Sequence, residues 1–115
     1  MSIGLTPTAS SPETSGIASR FQRLATQWKK ESRCLSNTTQ MALLWPYQLI
    51  IGMGSAVVPF ILQELERDPD QWFWALEAIT DENPVPPGAA GSVRSMAEAW
   101  LEWGKQHGIL FHDSR

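Results

Sequence analysis

The sequence predicts an all-α fold, a compact bundle of about five or six helices. Apolar residues recur at helical spacing in several segments, and residues that cap helices or form turns separate these segments. No segment of useful length alternates between apolar and polar residues as a half-buried strand does. The 115 residues, of which 43% are hydrophobic, suit one domain with its own core.

The domain boundaries follow from composition. Residues 2–16 are rich in Ser, Thr, Pro and Gly, and Glu13 is their only charge. Such a segment buries too little apolar surface to offset the entropy lost on ordering. We therefore expect a flexible N-terminal tail over 1–16, a single helical domain over 17–108 and a C-terminal tail over 109–115.

The first helix is predicted over 17–33. Its apolar residues Ile17, Phe21, Leu24 and Trp28 form one stripe with a period of 3.6 residues, and Ser15 offers an N-cap. The opposite face is basic and is expected to be solvated. It carries Arg20, Arg23, Lys29, Lys30 and Arg33.

Two short helices and a longer one follow. Ser36 offers a cap for a helix over 37–44, and Pro46 suits the first position of a helix over 46–51 that Gly52 and Gly54 end. A cap at Ser55 predicts the next helix over 56–67. On its apolar face lie Val57, Val58, Ile61, Leu62 and Leu65, while Glu64 and Glu66 are expected to face water.

The sharpest start signal is the run from Asp68 to Gln71. Asp68 would be the N-cap, Pro69 the first helical residue and Gln71 the third, a variant of the capping box. The helix predicted over 69–80 has a stripe of Trp72, Ala75, Leu76 and Ile79.

The rest of the chain is a loop and a final helix. Three prolines predict an extended loop over 81–91, and a final helix follows over 92–105, with Gly108 beyond its end. Its inner face is expected to carry Val93, Met96, Ala97, Trp100 and Gly104.

One segment resembles a HEAT-type repeat. The run Gly54-Ser55-Ala56-Val57-Val58-Pro59, the Asp-containing turn at Asp68 and the spaced Ala75 and Ala78 are similar to its helical hairpin. The resemblance covers about 30 residues and implies two packed helices whose neighbours act as caps.

A second resemblance covers residues 20–108. The elements Tyr47-x-x-Ile50-Ile51-Gly52-Met53-Gly54, Trp72-Phe73-Trp74-Ala75-Leu76 and Trp100-Leu101-x-Trp103-Gly104 are similar to a group of short uncharacterised bacterial proteins. This resemblance implies a bacterial source and small stand-alone genes. Such genes sit beside a second small gene, as in toxin–antitoxin and inhibitor pairs.

The sequence contains no recognisable reaction motif. Cys34 follows a basic helix, but the only histidines, His107 and His112, lie near the other end of the chain, so a nucleophile with its base is not indicated. No group of Cys, His or carboxylates has metal-ligand spacing. We expect no catalytic residue, cofactor or metal, no membrane span, and a cytoplasmic location.

Charge is unevenly distributed along the chain. The net charge is -3, but residues 64–82 carry seven carboxylates against Arg67 alone, whereas residues 1–35 carry five bases and two acids. The acidic segment is either a helix cap with solvated neighbours or a patch that attracts a basic partner.

The aromatic residues give the strongest functional indication. If Trp72 faces the core, its neighbours Phe73 and Trp74 point about 100° and 200° away, and the same question of what covers the ring arises for Trp103 on the flank of the helix beside Trp100. These residues are covered either by the fold or by a partner. The candidate partner interface is Phe73, Trp74, Trp103, Glu77, Asp81 and Glu82.

The leading hypothesis is a non-enzymatic helical module that neutralises or escorts a co-encoded protein. An alternative is a nucleic-acid-associated regulator that uses the basic face of helix 17–33, although the acidic total and the absence of a recognition-helix turn argue against it. A Cys34-dependent enzyme is the third hypothesis. The sequence leaves open whether the chain forms a homo-oligomer.

Overall fold

Among the residues that the structure describes, the chain forms six α-helices and two short 3₁₀ turns. The computed structural model describes residues 12–109, with side chains from residue 16 onward. No strand occurs within these residues, so the predicted all-α bundle is confirmed. The helices are α1 (Pro12–Ser32), α2 (Thr38–Leu43), α3 (Trp45–Gly52), α4 (Val58–Arg67), α5 (Phe73–Thr80) and α6 (Val93–Gln106).

The predicted apolar stripes form the core. Helix α1 packs against α3, α3 against α5, and α4 against α6. Each stripe is buried at its centre, as Phe21 and Trp28 show for α1 and Ala97 and Trp100 for α6. Burial of these large side chains supplies the main driving force for folding.

Four aromatic rings from three parts of the chain meet at the centre of the core. Trp72 lies 5.6 Å from Phe21, 4.5 Å from Trp28 and 5.8 Å from Tyr47, measured between ring centroids. The Trp28 indole N–H donates a 2.8 Å hydrogen bond to the carbonyl of Met41 and so joins α1 to α2. This cluster fixes α1, α3 and the start of α5 relative to one another.

The first helix begins earlier than the sequence predicted. Helix α1 starts at Pro12, so residues 12–16, which were assigned to a flexible tail, are helical, and Ser15 is not the N-cap. Proline suits the first turn of a helix because its missing N–H has no partner there in any case. The other tail residues, 1–11 and 110–115, lie outside the described residues, and the domain boundaries stay a prediction.

The caps of the next helices differ from those predicted. Asn37, not Ser36, is the N-cap of α2, and its side chain accepts a 3.1 Å hydrogen bond from the Gln40 N–H. Ser55 is not a cap, because it lies inside a 3₁₀ turn at Gly54–Val57 that precedes α4. Gly54 has a φ of +76°, which a residue with a side chain rarely adopts, so glycine is required for this change of direction.

The start of α5 is the largest error of the sequence analysis. The helix begins at Phe73 instead of Pro69, and Asp68 is the C-cap of α4 rather than an N-cap. The Asp68 carboxylate lies 2.8 Å from the Lys29 ammonium, a partner 39 residues away. A long-range ion pair has therefore replaced the local capping interaction that the sequence indicated.

The HEAT-type hairpin is not confirmed. Helix α4 packs chiefly against α6, and α5 packs chiefly against α3. With only eight residues, α5 is too short to form a repeat-like hairpin with α4 along its whole length. The two helices contact each other, but the bundle is organised around other pairs.

Within residues 12–109, no single helix has both the length and the apolar composition needed to cross a membrane. Trp45–Gly52 and Gly54–Arg67 meet these requirements only when they are taken together, and they are bent by 109°.

Candidate functional site

The structure divides the six tryptophans into buried and exposed ones. Trp28, Trp72 and Trp100 are fully buried, and Trp103 is 8% exposed. By contrast, Trp74 is 45% exposed and Trp45 is 70% exposed. The fold itself therefore covers Trp103, and Trp74 and Trp45 are the two tryptophans that it leaves open.

Trp74 lies in the wall of a cleft with a volume of about 490 Å³. The cleft is lined by residues of α2 and α5, together with single residues of α3 and α6. We call it the α2–α5 cleft. Its lining consists of Thr38, Ala42, Tyr47, Gln71, Phe73, Trp74, Glu77, Ala78 and Met96. Its size lies within the range of small-ligand and side-chain pockets.

The buried neighbours of Trp74 hold its side chain on the outside of α5. Ala75 and Leu76 are fully buried, and Phe73 is 4% exposed. Because successive helical residues point about 100° apart, the position of Trp74 falls nearly opposite the buried stripe. Its ring cannot enter the core without removing Trp72 or Leu76 from it.

The hydroxyl of Tyr47 fixes α5 at this place. It donates a 3.0 Å hydrogen bond to the carbonyl of Gln71 and accepts a 2.9 Å bond from the Ala75 N–H. The Ala75 N–H is one of the donors that the first turn of a helix leaves without an intrahelical partner. Burial raises the pKa of Tyr47 well above its ordinary value, so the hydroxyl stays protonated and able to donate.

Only part of the predicted interface comes together. Phe73, Trp74 and Glu77 all line the α2–α5 cleft. Trp103 and Glu82 do not line it, because the Trp103 indole N–H donates a 3.2 Å hydrogen bond to the Glu82 carboxylate. Trp103 also packs against Trp100 and stacks on His107, with ring centroids 5.2 and 4.4 Å apart.

Asp81 caps the end of α5 and lies outside the cleft lining. Its backbone is left-handed, with a φ of 60°, and its N–H donates a 2.8 Å hydrogen bond to the carbonyl of Glu77. Asp tolerates this conformation better than most residues with side chains. The carboxylate of Asp81 is exposed, one helical turn beyond Glu77.

The prediction that Glu64 faces water is wrong. Its side chain is only 3% exposed and lies in an ion cluster with Lys29, Arg67 and Asp68. The carboxylate contacts the Lys29 ammonium and the Arg67 guanidinium, and the Arg67 Nε lies 3.3 Å from its second oxygen. Lys29 comes from α1, so the cluster ties α1 to the end of α4.

The charges in this cluster stabilise one another. Burial alone raises the pKa of Glu64, but the hydrogen bonds and charges of Arg67 and Lys29 outweigh it and hold that pKa below its ordinary value. The hydrogen bond from Lys29 lowers the pKa of Asp68. Burial likewise lowers the pKa of Lys29, but Asp68 and Glu64 more than compensate and raise it. The cluster is thus ionised and internally neutral at pH 7.

Sequence reasoning missed the other wall of the cleft. Helix α2 contributes Thr38 and Ala42, and the exposed Leu43 and Trp45 follow one and three residues after Ala42. The sequence does contain a feature that points to this wall, because residues 35–63 include no Asp, Glu, Lys or Arg. A stretch of 29 residues without a formal charge is uncommon in a chain that is 18% charged, and it marks a surface that does not repel an apolar partner.

Of the residues considered for catalysis, Cys34 and His107 lie on separate elements, and His112 lies outside the described residues. Cys34 is exposed in the turn after α1. His107 lies at the end of α6, where its ring stacks on Trp103 and its Nδ1 lies 2.8 Å from the Trp103 carbonyl. In the described part of the chain, no group of three His, Cys, Asp or Glu residues is placed to hold a metal ion.

The basic face of α1 is smaller than predicted. Lys29 is withdrawn into the ion cluster, while Arg20, Arg23, Lys30 and Arg33 remain exposed. Arg20, Arg23 and Lys30 fall within an arc of about 80° on the helix, and Arg33 lies in the turn directly after it. The face therefore keeps four cations, with Glu31 on the same helix.

Comparisons with protein families, with curated proteins and with solved structures find no match to this chain.

Proposed function

We propose that this chain is a non-enzymatic helical module that binds one protein, a co-encoded partner that it neutralises or escorts. The observation that carries this proposal is the α2–α5 cleft with the 45%-exposed Trp74 in its wall. Tryptophan is enriched among the residues that dominate binding energy at protein interfaces. Here it stands on a rigid helix rather than on a loop.

The distribution of exposed apolar side chains supports the proposal. Leu43, Trp45 and Trp74 are the large hydrophobic residues that stay exposed within the described part of the chain. Two of them lie within three residues of the cleft residue Ala42 in sequence, and the third, Trp74, lines the cleft. A helical domain that buries four of its tryptophans has the means to cover the other two, so their exposure favours a role in binding.

The similarity to short bacterial proteins suggests where the partner is found. The resemblance implies a second small gene beside this one, so the product of the neighbouring gene is the first partner to test. A protein of this size can block or stabilise such a product by covering part of its surface.

The test is co-expression of the tagged full chain with the neighbouring gene product, followed by measurement of stoichiometry and affinity. We expect a defined complex that Trp74→Ala weakens at least tenfold, because a central aromatic anchor contributes about 2 kcal/mol or more. Cys34→Ala is the matched control, since Cys34 is exposed and outside the cleft. A monodisperse chain that binds no neighbouring product would contradict the proposal.

The same control addresses the enzymatic hypothesis. If the chain used the Cys34 thiolate as a nucleophile, Cys34→Ala would abolish its cellular effect and Trp74→Ala would not. We expect the reverse pattern.

A second candidate function is nucleic-acid binding by the exposed face of Arg20, Arg23, Lys30 and Arg33. Contacts of these cations with phosphates would give binding that falls steeply with salt concentration. A gel shift at low salt with duplex DNA and single-stranded RNA tests this directly. An Arg23→Ala/Lys30→Ala variant should abolish any shift that depends on this face, and the absence of a shift in the unaltered chain removes the candidate.

A further inference from the structure

We propose that the α2–α5 cleft receives a cationic side chain, Arg or Lys, carried by an apolar segment of the partner protein. This inference rests on the proposed function and specifies the chemistry of the partner. It follows from the charge of the lining, from the aromatic wall and from the hydrogen bonds already made there.

The lining has a single formal charge. Glu77 is its only carboxylate, and none of its nine residues is Lys or Arg. The facing wall is formed by Thr38 and Ala42, which belong to the uncharged stretch over 35–63. Asp81, one turn beyond Glu77, adds a second exposed negative charge near the same end of α5. A cation is therefore attracted to the cleft and an anion is repelled from it.

The aromatic wall selects for the same group. Trp74 and Glu77 are three residues apart on α5 and both line the cleft, so an indole ring and a carboxylate lie on neighbouring positions of one helix face. Lys and Arg bind favourably over the face of a tryptophan ring, and Arg does so more often. The guanidinium can stack on the ring while it donates hydrogen bonds to the carboxylate.

The remaining lining fits the apolar part of such a segment. Ala42, Phe73, Ala78 and Met96 offer apolar contacts for the aliphatic stem and for neighbouring side chains. The Tyr47 hydroxyl is already bonded to the backbone of Gln71 and Ala75, so it adds no free donor for an anion. A volume of about 490 Å³ holds a long side chain together with adjacent apolar groups.

The experiment uses the full chain and a defined probe, acetyl-Leu-Arg-Leu amide. Its matched control replaces Arg by citrulline, which has nearly the same shape without the charge. Binding is followed by nuclear magnetic resonance at the indole N–H of Trp74, assigned by its loss in Trp74→Phe. We expect the Arg peptide to shift this signal and to bind about tenfold more tightly than the citrulline peptide.

Two substitutions separate the ring from the carboxylate. Glu77→Gln should reduce the tenfold preference for the Arg peptide to about threefold, because the indole ring still favours a cation. Trp74→Ala should remove binding of both peptides, measured for this variant by the backbone amide shifts of the cleft residues Thr38 and Ala78. Both positions are exposed, so unchanged thermal unfolding will show that each variant still folds.

The proposal is overturned if the two peptides bind the unaltered chain equally, if the shifts lie away from the cleft, or if Trp74 does not respond at any peptide concentration. These outcomes are distinct from failure of the proposed function. A neighbouring gene product that binds regardless of Trp74 and Glu77 overturns only the present inference, whereas an Arg-selective cleft in a chain that binds no such product overturns only the proposed function.

Discussion

The ends of α4 and α5 are both acidic, but the carboxylates at one end form ion pairs within the fold and those at the other end are exposed. At the end of α4, Glu64 and Asp68 are held by Lys29 and Arg67 in a neutral cluster. At the end of α5, Glu77 and Asp81 are exposed, and no ion pair of theirs occurs among the described residues. The first group joins helices, and the second is available for an external cation.

This difference shows that local composition alone does not define an acidic surface. The segment over 64–82 reads as one patch in the sequence, yet two of its seven carboxylates are neutralised by the fold. The deciding residue, Lys29, lies outside the segment, near the end of α1, and reaches the end of α4 through its ion pairs with Glu64 and Asp68. A partner would therefore meet Glu77 and Asp81 as negative and the cluster of Lys29, Glu64, Arg67 and Asp68 as neutral.

The largest expected effect is on folding stability at the α4 end. Glu64→Ala removes the buried carboxylate that Lys29 and Arg67 share and leaves Lys29 with Asp68 alone. We expect a loss of about 2–3 kcal/mol in the free energy of unfolding, because breaking a buried ion pair from one side is destabilising and the remaining pair with Asp68 keeps Lys29 partly compensated. Glu77→Ala is the matched change at the α5 end and should cost less than about 0.5 kcal/mol.

Urea unfolding of the two variants measures both values. Equal losses in the free energy of unfolding would contradict the difference that we infer between the two sites. They would mean that both carboxylates stabilise the fold or that neither does. A larger loss of stability in Glu77→Ala than in Glu64→Ala would show that Glu77, and not Glu64, is the structural carboxylate.

A smaller effect is expected from acid. Glu64 and Asp68 have pKa values below their ordinary 4.5 and 3.8, so the unfolded chain binds more protons than the folded chain when these groups titrate. Their stabilisation is complete above about pH 5 and is lost as the pH falls through the folded pKa values. The loss should be smaller than that in Glu64→Ala, because a protonated carboxyl keeps some of its contacts.

Thermal unfolding of the unaltered chain and of Lys29→Met, recorded from neutral to acid pH, measures this dependence. The variant lacks the cation that lowers both pKa values, so its stability should decline less steeply with acid. Parallel curves for the two proteins would exclude the ion cluster as the source of acid sensitivity.

The smallest effect concerns Asp81, where the backbone rather than the carboxylate matters to the fold. Asp81→Val should cost about 1–2 kcal/mol, because a β-branched residue is strained in the left-handed region. Asp81→Gly should stay within about 0.5 kcal/mol of the original stability, since glycine adopts this conformation freely. Calorimetry of the two variants decides the point, and a stability loss in Asp81→Gly as large as that in Asp81→Val would show that the charge itself stabilises the fold.

The sequence predicted those parts of the fold that depend on periodicity. The stripes of α1 and α6 and the position of Trp72 are confirmed, because a 3.6-residue pattern constrains many side chains at once. The predictions that α5 starts at Pro69 and that Glu64 faces water were wrong for one shared reason. Both depend on partners distant in sequence, because Lys29 holds Glu64 and Asp68 and the Tyr47 hydroxyl holds the Ala75 N–H, and no local pattern contains these tertiary contacts.

The candidate site was predicted in the same partial way. Periodicity left Phe73, Trp74 and Trp103 undecided, and the structure covers Phe73 and Trp103 and leaves Trp74 open. The facing wall at Thr38 and Ala42 could not be predicted, because it requires the packing of α2 across from α5. The absence of charge over residues 35–63 was visible in the sequence and indicates which surface to consider first.

The double hydrogen bond of Tyr47 also has a consequence for the order of folding. The donor at Ala75 is satisfied by a hydroxyl 28 residues earlier in the chain, so the boundary seen at Phe73 exists only after α3 has docked. Until then, Asp68 and Pro69 are free to start the helix by their local preference. The first residue of α5 therefore depends on assembly. A helix that starts at Pro69 would bond the N–H groups of Phe73 and Trp74 to the carbonyls of Pro69 and Asp70, whereas the first turn of α5 leaves both without an intrahelical partner. Pulse-labelled amide exchange during refolding should show protection of these two amides that forms early and falls as the native core closes.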